Sequence, residues 1–370
     1  MSVIWILLVA AVLMVLQSML FSLTNLKKLR YTRRFSRSTA YEGEKVELIE
    51  VIGNAKFFPV PWLRVESRIS PFLQFGHKGM GEEREIAAQQ YHRSVFFLGP
   101  MSQVTRHHEV TCLKRGHYEV GSVALTCGDL LGMSSKSKQL SIPCELDVYP
   151  RLLSEEELAT PSTRWQGDLT VRRWIMPDPF LTAGIRDYRA GDPQRDIHWR
   201  ATARMGSLQV KVRDYTADPR MVVVLNVQTS EDQWGDLMDY EQEGIEQGIR
   251  MAATLCMRAL SAGVEAGFAS NACLMGDKGT GKTVMIPARR SQAQADILLN
   301  AMARLVIHRE VSFPTFLESL PVDRGMDVVI LSTYDSDEIR AHMQRLTRNG
   351  NSATLLRLER GTLRDQEAVS

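Results

Sequence analysis

The stretch MVVVLNV, Met221 to Val227, is a continuous apolar run. A strand buried on both faces reads this way, as the strands of a parallel sheet do. Beyond it, YEQEGIEQGIRMAATLCMRALSAG places Ile245, Ile249, Ala252, Leu255 and Ala259 at helical spacing. VEAGFASNACLM reads as a strand. Ser291 with Gln294 forms a capping-box pattern ahead of ADILLNAMARLVIH. DVVILS is a second buried strand. Asp335 with Glu338 opens a helix that Asn349-Gly350 ends, and SATLLRLE is a last strand. This alternation predicts an α/β doubly wound domain over residues 216–370.

Inside that region GDKGTGKT, Gly276 to Thr283, fits the phosphate-cradling pattern G-x-x-x-x-G-K-[ST]. The pattern works only where a strand feeds the loop and a helix starts at the Gly-Lys-Thr. Here Thr283 is followed by β-prone Val284, Met285 and Ile286, and Pro287 would break a nascent helix. The runs VVVLN and VVILS end in Asn226 and Ser332, not in an acid suited to magnesium. The glycines are therefore expected to close a β-hairpin. No cofactor is expected.

Toward the N-terminus the pattern is short and alternating. EKVELIEVI, WLRVESRI, RSVFFLG, EVTCLKRGHYEVGSVALTC and CELDVYP, bounded by Gly and Pro, predict a β-rich, sandwich-like domain over residues 39–150. His92, His107 and His108 lie in it without ligand spacing, and surface or strand positions account for them. The five cysteines form no C-x-x-C, which predicts free thiols in a reducing compartment.

VIWILLVAAVLMVLQSMLFSL, Val3 to Leu23, carries no charge over 21 residues. As a helix it would be about 31 Å long, the thickness of a bilayer core. Residues 1–25 are thus expected to form a single transmembrane helix, with the lipid bilayer as partner. Lys27, Lys28, Arg30, Arg33, Arg34 and Arg37 follow in a basic juxtamembrane segment, residues 26–38. The positive-inside rule then puts the body in the cytoplasm, at the plasma (inner) membrane. A net charge of +2 over 370 residues argues against wholesale nucleic-acid binding.

Residues 151–215 connect the halves and hold FLTAGIRDYRAGDPQRDIHWRATARMGSLQVKVRD, Phe180 to Asp214. Arg186, Tyr188, Gly191, Asp192, Arg195, Ile197, Trp199, Ala203, Arg204, Leu208 and Val210 fit a long pattern. The segment resembles the signature of the domain of unknown function 58 family, a bacterial group with a von Willebrand factor A-like domain. The resemblance implies a von Willebrand A-like fold for the C-terminal half. It also implies a protein-interaction or assembly module, not an enzyme, working with a MoxR-type AAA+ ATPase. His198 completes the set of signature residues expected to be structural or partner-binding, in a buried Arg–Asp–Tyr network.

Two alternatives stand beside that reading. Asp192 and His198 are spaced as a possible acid/base pair of a hydrolase. Metal-dependent binding is the other: A domains bind magnesium through D-x-S-x-S, and Asn226, Gln228 and Ser230 occupy those positions. Asn for Asp deletes the carboxylate, and Gln for Ser puts a long amide where a hydroxyl belongs, so no metal is expected. For partner contact, two surfaces are expected. The first is the crevice gathering Asn226 to Ser230 with Thr333 to Asp335, where Gln228 and Thr229 would bond a partner. The second is formed by Arg189 and Arg200.

Overall fold

The computed structural model describes residues 4–9, 12, 28–76, 84–86, 89–128, 135–159, 184–188, 197–212, 220–233 and 237–358. The chain divides into two compact units, Met1–Arg151 and Leu152–Ser370.

The N-terminal unit is built of β1 (Leu29–Phe35), β2 (Thr39–Tyr41), β3 (Lys45–Asn54), β4 (Val60–Ile69), β5 (Leu73–Phe75), β6 (Arg84–Ile86), β7 (Gln89–Leu98), β8 (Ser102–Cys112), β9 (Gly116–Glu119), β10 (Ser122–Gly128), β11 (Ser135–Ser141) and β12 (Glu145–Tyr149). They form a four-stranded sheet β1-β3-β8-β5, a five-stranded sheet β11-β10-β4-β7-β6 and a three-stranded sheet β2-β12-β9. Period-two alternation is the cause: β3 buries Val46, Leu48, Glu50 and Ile52 and turns Lys45 and Glu47 out. Tyr31, Ile52, Val60, Leu63, Val65, Phe96 and Leu98 join the first two sheets in one apolar core.

Residues 29–35, read from sequence as part of a basic juxtamembrane segment, are a strand. Leu29, Tyr31, Arg33 and Phe35 share the inward parity of β1, while Arg30, Thr32 and Arg34 face out. The arginine run hid the alternation because Arg33 itself points inward, where its Nη2 donates to Val120 O.

The C-terminal unit contains α1 (Glu155–Ala159), β13 (Gly184–Asp187), α2 (Trp199–Met205), β14 (Gln209–Val212), β15 (Arg220–Leu225), α3 (Asp239–Ser261), β16 (Glu265–Ser270), β17 (Ala272–Leu274), β18 (Val284–Arg289), α4 (Gln294–Ala303), β19 (Leu305–Arg309), α5 (Phe313–Ser319), β20 (Met326–Ser332), α6 (Asp337–Arg348) and β21 (Ser352–Arg357). A five-stranded sheet runs β18-β16-β15-β20-β21, with β13-β14 and β17-β19 as separate pairs. The pairings β16-β15-β20-β21 are parallel, whereas β18 is antiparallel to β16. Met221 to Val227 is buried throughout, as the apolar run required.

The expected fold class needs correction. An α/β doubly wound, von Willebrand A-like domain with an N-terminal transmembrane helix is not what the chain shows. Strand is the commonest structure among the described residues, which hold twenty-one strands in six sheets against six helices and a helical stretch at residues 4–9. Apolar runs and helical spacing identify individual buried elements, but they say nothing of how many small sheets surround them. Among the described residues no helix is long and apolar enough to cross a membrane, and most of Val3 to Leu23 lies outside them.

Local start signals differ too. Ser291 does not cap α4 through its side chain. Gln294 is instead buried, and its Nε2 donates to Ala266 O (2.9 Å) and Pro287 O (3.0 Å), tying the helix to β16 and β18. Ser336, not Asp335, caps α6, accepting from Ile339 N. Asp335 is held by Arg340, with Nη2–Oδ2 at 2.6 Å. All five cysteines are free and buried, and burial pushes the Cys256 thiol up to about 12.

Candidate functional site

The signature folds as a strand, a short helix and a returning strand. β13 and β14 pair antiparallel, with Arg186 opposite Val210 and Asp187 opposite Gln209. His198 begins α2: its Nδ1 accepts from Ala201 N at 3.2 Å. Gly206, at φ 72°, ends the helix, and its N–H donates to Thr202 O. Ile197, Ala201 and Val210 are buried beneath, and Gln209 Nε2 donates to Asp187 Oδ1 and Ser207 Oγ.

Of the Arg–Asp–Tyr network expected, Arg186 and Tyr188 are among the described residues. Arg186 is exposed and donates to Asp187 O, while Tyr188 is half-buried and bonds Leu208 O through its backbone. Gly191, Asp192 and Arg195, and with them Arg189, lie outside the described residues. Of the expected acid/base pair only His198 is described, and it serves as a helix cap. The outer side of the segment is unusual. Trp199 is 67% exposed, Met205 70% and Leu208 44%, with exposed Arg200 and Arg204 among them.

At the carboxyl ends of the parallel strands the three metal-like positions hold no ligand cage. Asn226 and Gln228 are fully buried, and Ser230 is exposed. Asn226 Nδ2 donates to Ser332 Oγ (3.0 Å), and its Oδ1 accepts from Gln228 N and from Asn271 Nδ2. Gln228 Oε1 accepts from Phe313 N (2.6 Å) and Asn271 Nδ2, and its Nε2 donates to Ser230 O. Thr333 Oγ1 donates to Gln228 O. The long amide and the second amide, Asn271, thus bond β15, β16, β20 and the start of α5 to one another. Sequence reading missed Asn271, although its place directly after the strand run in FASN was visible. Both heavy atoms of the Gln228 amide thus bond within the unit.

The glycine loop Gly276 to Thr283 joins β17 to β18, and no helix follows Thr283. The two strands pair with β19 and β16 rather than with each other, so the loop is not a simple hairpin tip. Its backbone still cradles an anion, and the anion is the chain's own. Gly279 N donates to Glu310 Oε1 (2.6 Å) and Gly281 N to Oε2 (2.8 Å). Burial raises the Glu310 carboxyl, but these two N–H bonds outweigh it and hold the group below its ordinary value. Lys282 is paired with Asp277 at 3.2 Å.

A second polar group lies in the core of the N-terminal unit. Glu50 on β3, His108 on β8 and His92 on β7 bring donor atoms within 4.8 Å of one another. Glu50 has no solvent exposure; its Oε1 accepts from Tyr31 Oη (2.6 Å), and its Oε2 lies 3.1 Å from His108 Nε2. His92 Nε2 lies 3.0 Å from Ser94 Oγ, and its ring stacks on Phe75 with centroids 4.5 Å apart. Burial pushes the His92 imidazole down to about 4, helped by neighbouring His108, and burial with the Glu50 bond pushes the Tyr31 hydroxyl well up. Burial acts to raise Glu50, but the bonds from His108 and Tyr31 prevail and hold it low. His107 faces outward beside Glu47, as its parity on β8 requires.

The chain is 20% identical over 267 residues to the uncharacterized protein YeaD of Bacillus subtilis (strain 168), covering 72% of this chain and spanning 62% of that relative's length. Among solved structures, a non-cellulosomal cohesin from Archaeoglobus fulgidus covers 35% of this chain and 95% of its own, at 11% identity and a TM-score of 0.23. The CARDB domain of the PF1109 protein from Pyrococcus furiosus covers 34% of this chain and 97% of its own, at 14% identity and a TM-score of 0.21. Likeness at that level carries no argument. The match that bears on the signature is of another kind: residues 184–351, from the first residue of β13 to the residue before β21, match the model of the family described as protein of unknown function DUF58.

Proposed function

We propose that this chain is a protein-interaction or assembly module, not an enzyme, and that it binds its partner through the outer side of the signature. The observation that carries this is the exposure of Trp199, 67%, beside exposed Arg200 and Arg204. A tryptophan set in water beside arginines is the composition of an interface hot spot, since Trp and Arg bring large contact area and charge complementarity together. The strand-end network supports the non-catalytic half of the reading. Its amides are mutually bonded and buried, so they hold the unit together instead of facing a substrate. The resemblance to the DUF58 family supplies the partner class, a MoxR-type AAA+ ATPase with an acidic surface.

Co-purification of the full chain with that ATPase tests it. Trp199→Ala should lower capture at least about tenfold, the loss of roughly 1.4 kcal/mol. Arg200→Glu with Arg204→Glu should do the same and remove the salt sensitivity of the contact. Both variants should melt like wild type, because neither side chain is in the core. Gln228→Arg, by contrast, should unfold the unit. Capture of both surface variants at wild-type yield would overturn this contact surface, and no capture by wild type after crosslinking would overturn the partner.

The apolar N-terminal stretch supports attachment to the inner membrane with the body in the cytoplasm. Residues Ile4 to Val9 present apolar side chains that are each at least half exposed. A reporter fused after Ser370 and active only outside the cytoplasm should stay silent, and activity there would reverse the topology.

A further inference from the structure

We propose that Glu50, His92 and His108 bind one first-row divalent cation, with zinc the ion this donor set fits best. The three residues come from three strands of two facing sheets, yet their donor atoms converge within 4.8 Å. Two imidazole nitrogens and one carboxylate oxygen are the ligand set of open, three-ligand zinc sites, with bonds of about 2.0–2.2 Å. A tetrahedral site of that size needs donors roughly 3.4 Å apart. Glu50 Oε2 and His108 Nε2 already stand at 3.1 Å, so the site closes by adjusting His92.

The surroundings orient the donors. Tyr31 Oη donates to Glu50 Oε1, which leaves Oε2 for the cation. Phe75 stacks on the His92 ring and fixes its plane. Such supports around the ligands set the geometry of metal sites. A carboxylate with no solvent exposure, beside the apolar cluster that includes Ile52, Phe96 and Leu98, also needs a compensating charge. Arg33, the register partner of Glu50 on β1, is buried nearby. Its Nη2 donates to Val120 O, while Glu50 is bonded by Tyr31 and His108 instead. The cation would supply the charge that Arg33 does not deliver to the carboxylate by contact.

The test uses the full chain, stripped with EDTA and dialysed, then titrated with zinc alone in a calorimeter. Expected are one equivalent bound and a thermal midpoint that rises with zinc concentration, since the ion binds only the folded state. His92→Gln and His108→Gln should each weaken binding at least about 100-fold, and His107→Gln, outward on the same strand as His108, should not. Cobalt in place of zinc should give a visible band of nitrogen and oxygen ligation, absent from the variants. Circular dichroism identifies any variant that fails to fold; Glu50→Gln, which keeps the side-chain shape, then takes its place. Sub-stoichiometric uptake by folded wild type, or wild-type affinity in a folded variant lacking one of the three ligands, would overturn the site.

Discussion

Gly267→Ala should destabilise the C-terminal unit by about 3 kcal/mol or more, the range of severe overpacking combined with lost buried hydrogen bonds. Gly267 lies within β16, opposite Val222 on one side. On the other side the pairing with β18 shifts register between Ala266 and Phe268, so β18 bulges toward it. A Cβ there would stand 2.7 Å from both Ala288 N and Ile286 O. Those are backbone atoms, which cannot rotate away as a side-chain end can. Either β18 must leave the sheet or β16 must bend. Moving β18 also strains the two bonds by which Gln294 clamps Ala266 O and Pro287 O. Gly248→Ala makes the contrast: the atoms nearest its Cβ are the side-chain ends of Leu358 and Leu225, which can swing, so its cost should be smaller. Urea unfolding gives the magnitude, and hydrogen exchange at the amides of β15, β16 and β20 assigns it to this unit. A change under about 1 kcal/mol would mean that β18 is not held as described.

The parts of this molecule that sequence made legible are those where one element carries the whole signal. The apolar run at Met221 to Val227 and the stripe Ile245, Ile249, Ala252, Leu255 and Ala259 are buried where periodicity puts them. The turn at Asn349-Gly350 ends α6, with Gly350 at φ 88°. What sequence did not show depends on pairs of elements. The fold class erred because a few parallel strands were read as the architecture of all of residues 216–370, while small sheets such as β13-β14 and β17-β19 have no pattern beyond short β runs. The Glu50, His92 and His108 cluster was missed because ligand spacing is a test within one element, and these residues sit on three strands. Parity held the clue: Glu50 falls in step with Leu48 and Ile52, His108 with Val110 and Cys112, and His92 with Phe96 and Leu98. A carboxylate and two imidazoles on inward positions need partners inside. The glycine loop shows the converse. Its phosphate-cradling spacing does describe a loop of N–H donors, but the fold aims two of them, Gly279 and Gly281, at Glu310.

In metal-free protein, Glu50→Ala should destabilise the N-terminal unit by about 3–5 kcal/mol, the cost of removing one partner from a buried charged network. The carboxylate is fully buried and bonds two strands at once: Tyr31 on β1 through Oε1 and His108 on β8 through Oε2. Without it, the Tyr31 hydroxyl and the His108 ring face a void instead of an acceptor, and both the cavity and the unmet groups add to the loss. Arg33 makes the loss larger, because its buried Nε and Nη1 already have no partner and the carboxylate opposite it in register is gone. Glu50→Gln keeps the volume and one acceptor oxygen, so it should cost less, about 1–3 kcal/mol. Tyr31→Phe should cost about 1–2 kcal/mol alone and almost nothing once Glu50 is alanine, since the acceptor is then already absent. Urea unfolding in EDTA of wild type, Glu50→Ala, Tyr31→Phe and the double variant measures the cycle. If Glu50→Ala lies within about 1 kcal/mol of wild type, or if the Tyr31 and Glu50 losses simply add, the carboxylate is not the hub that its geometry makes it.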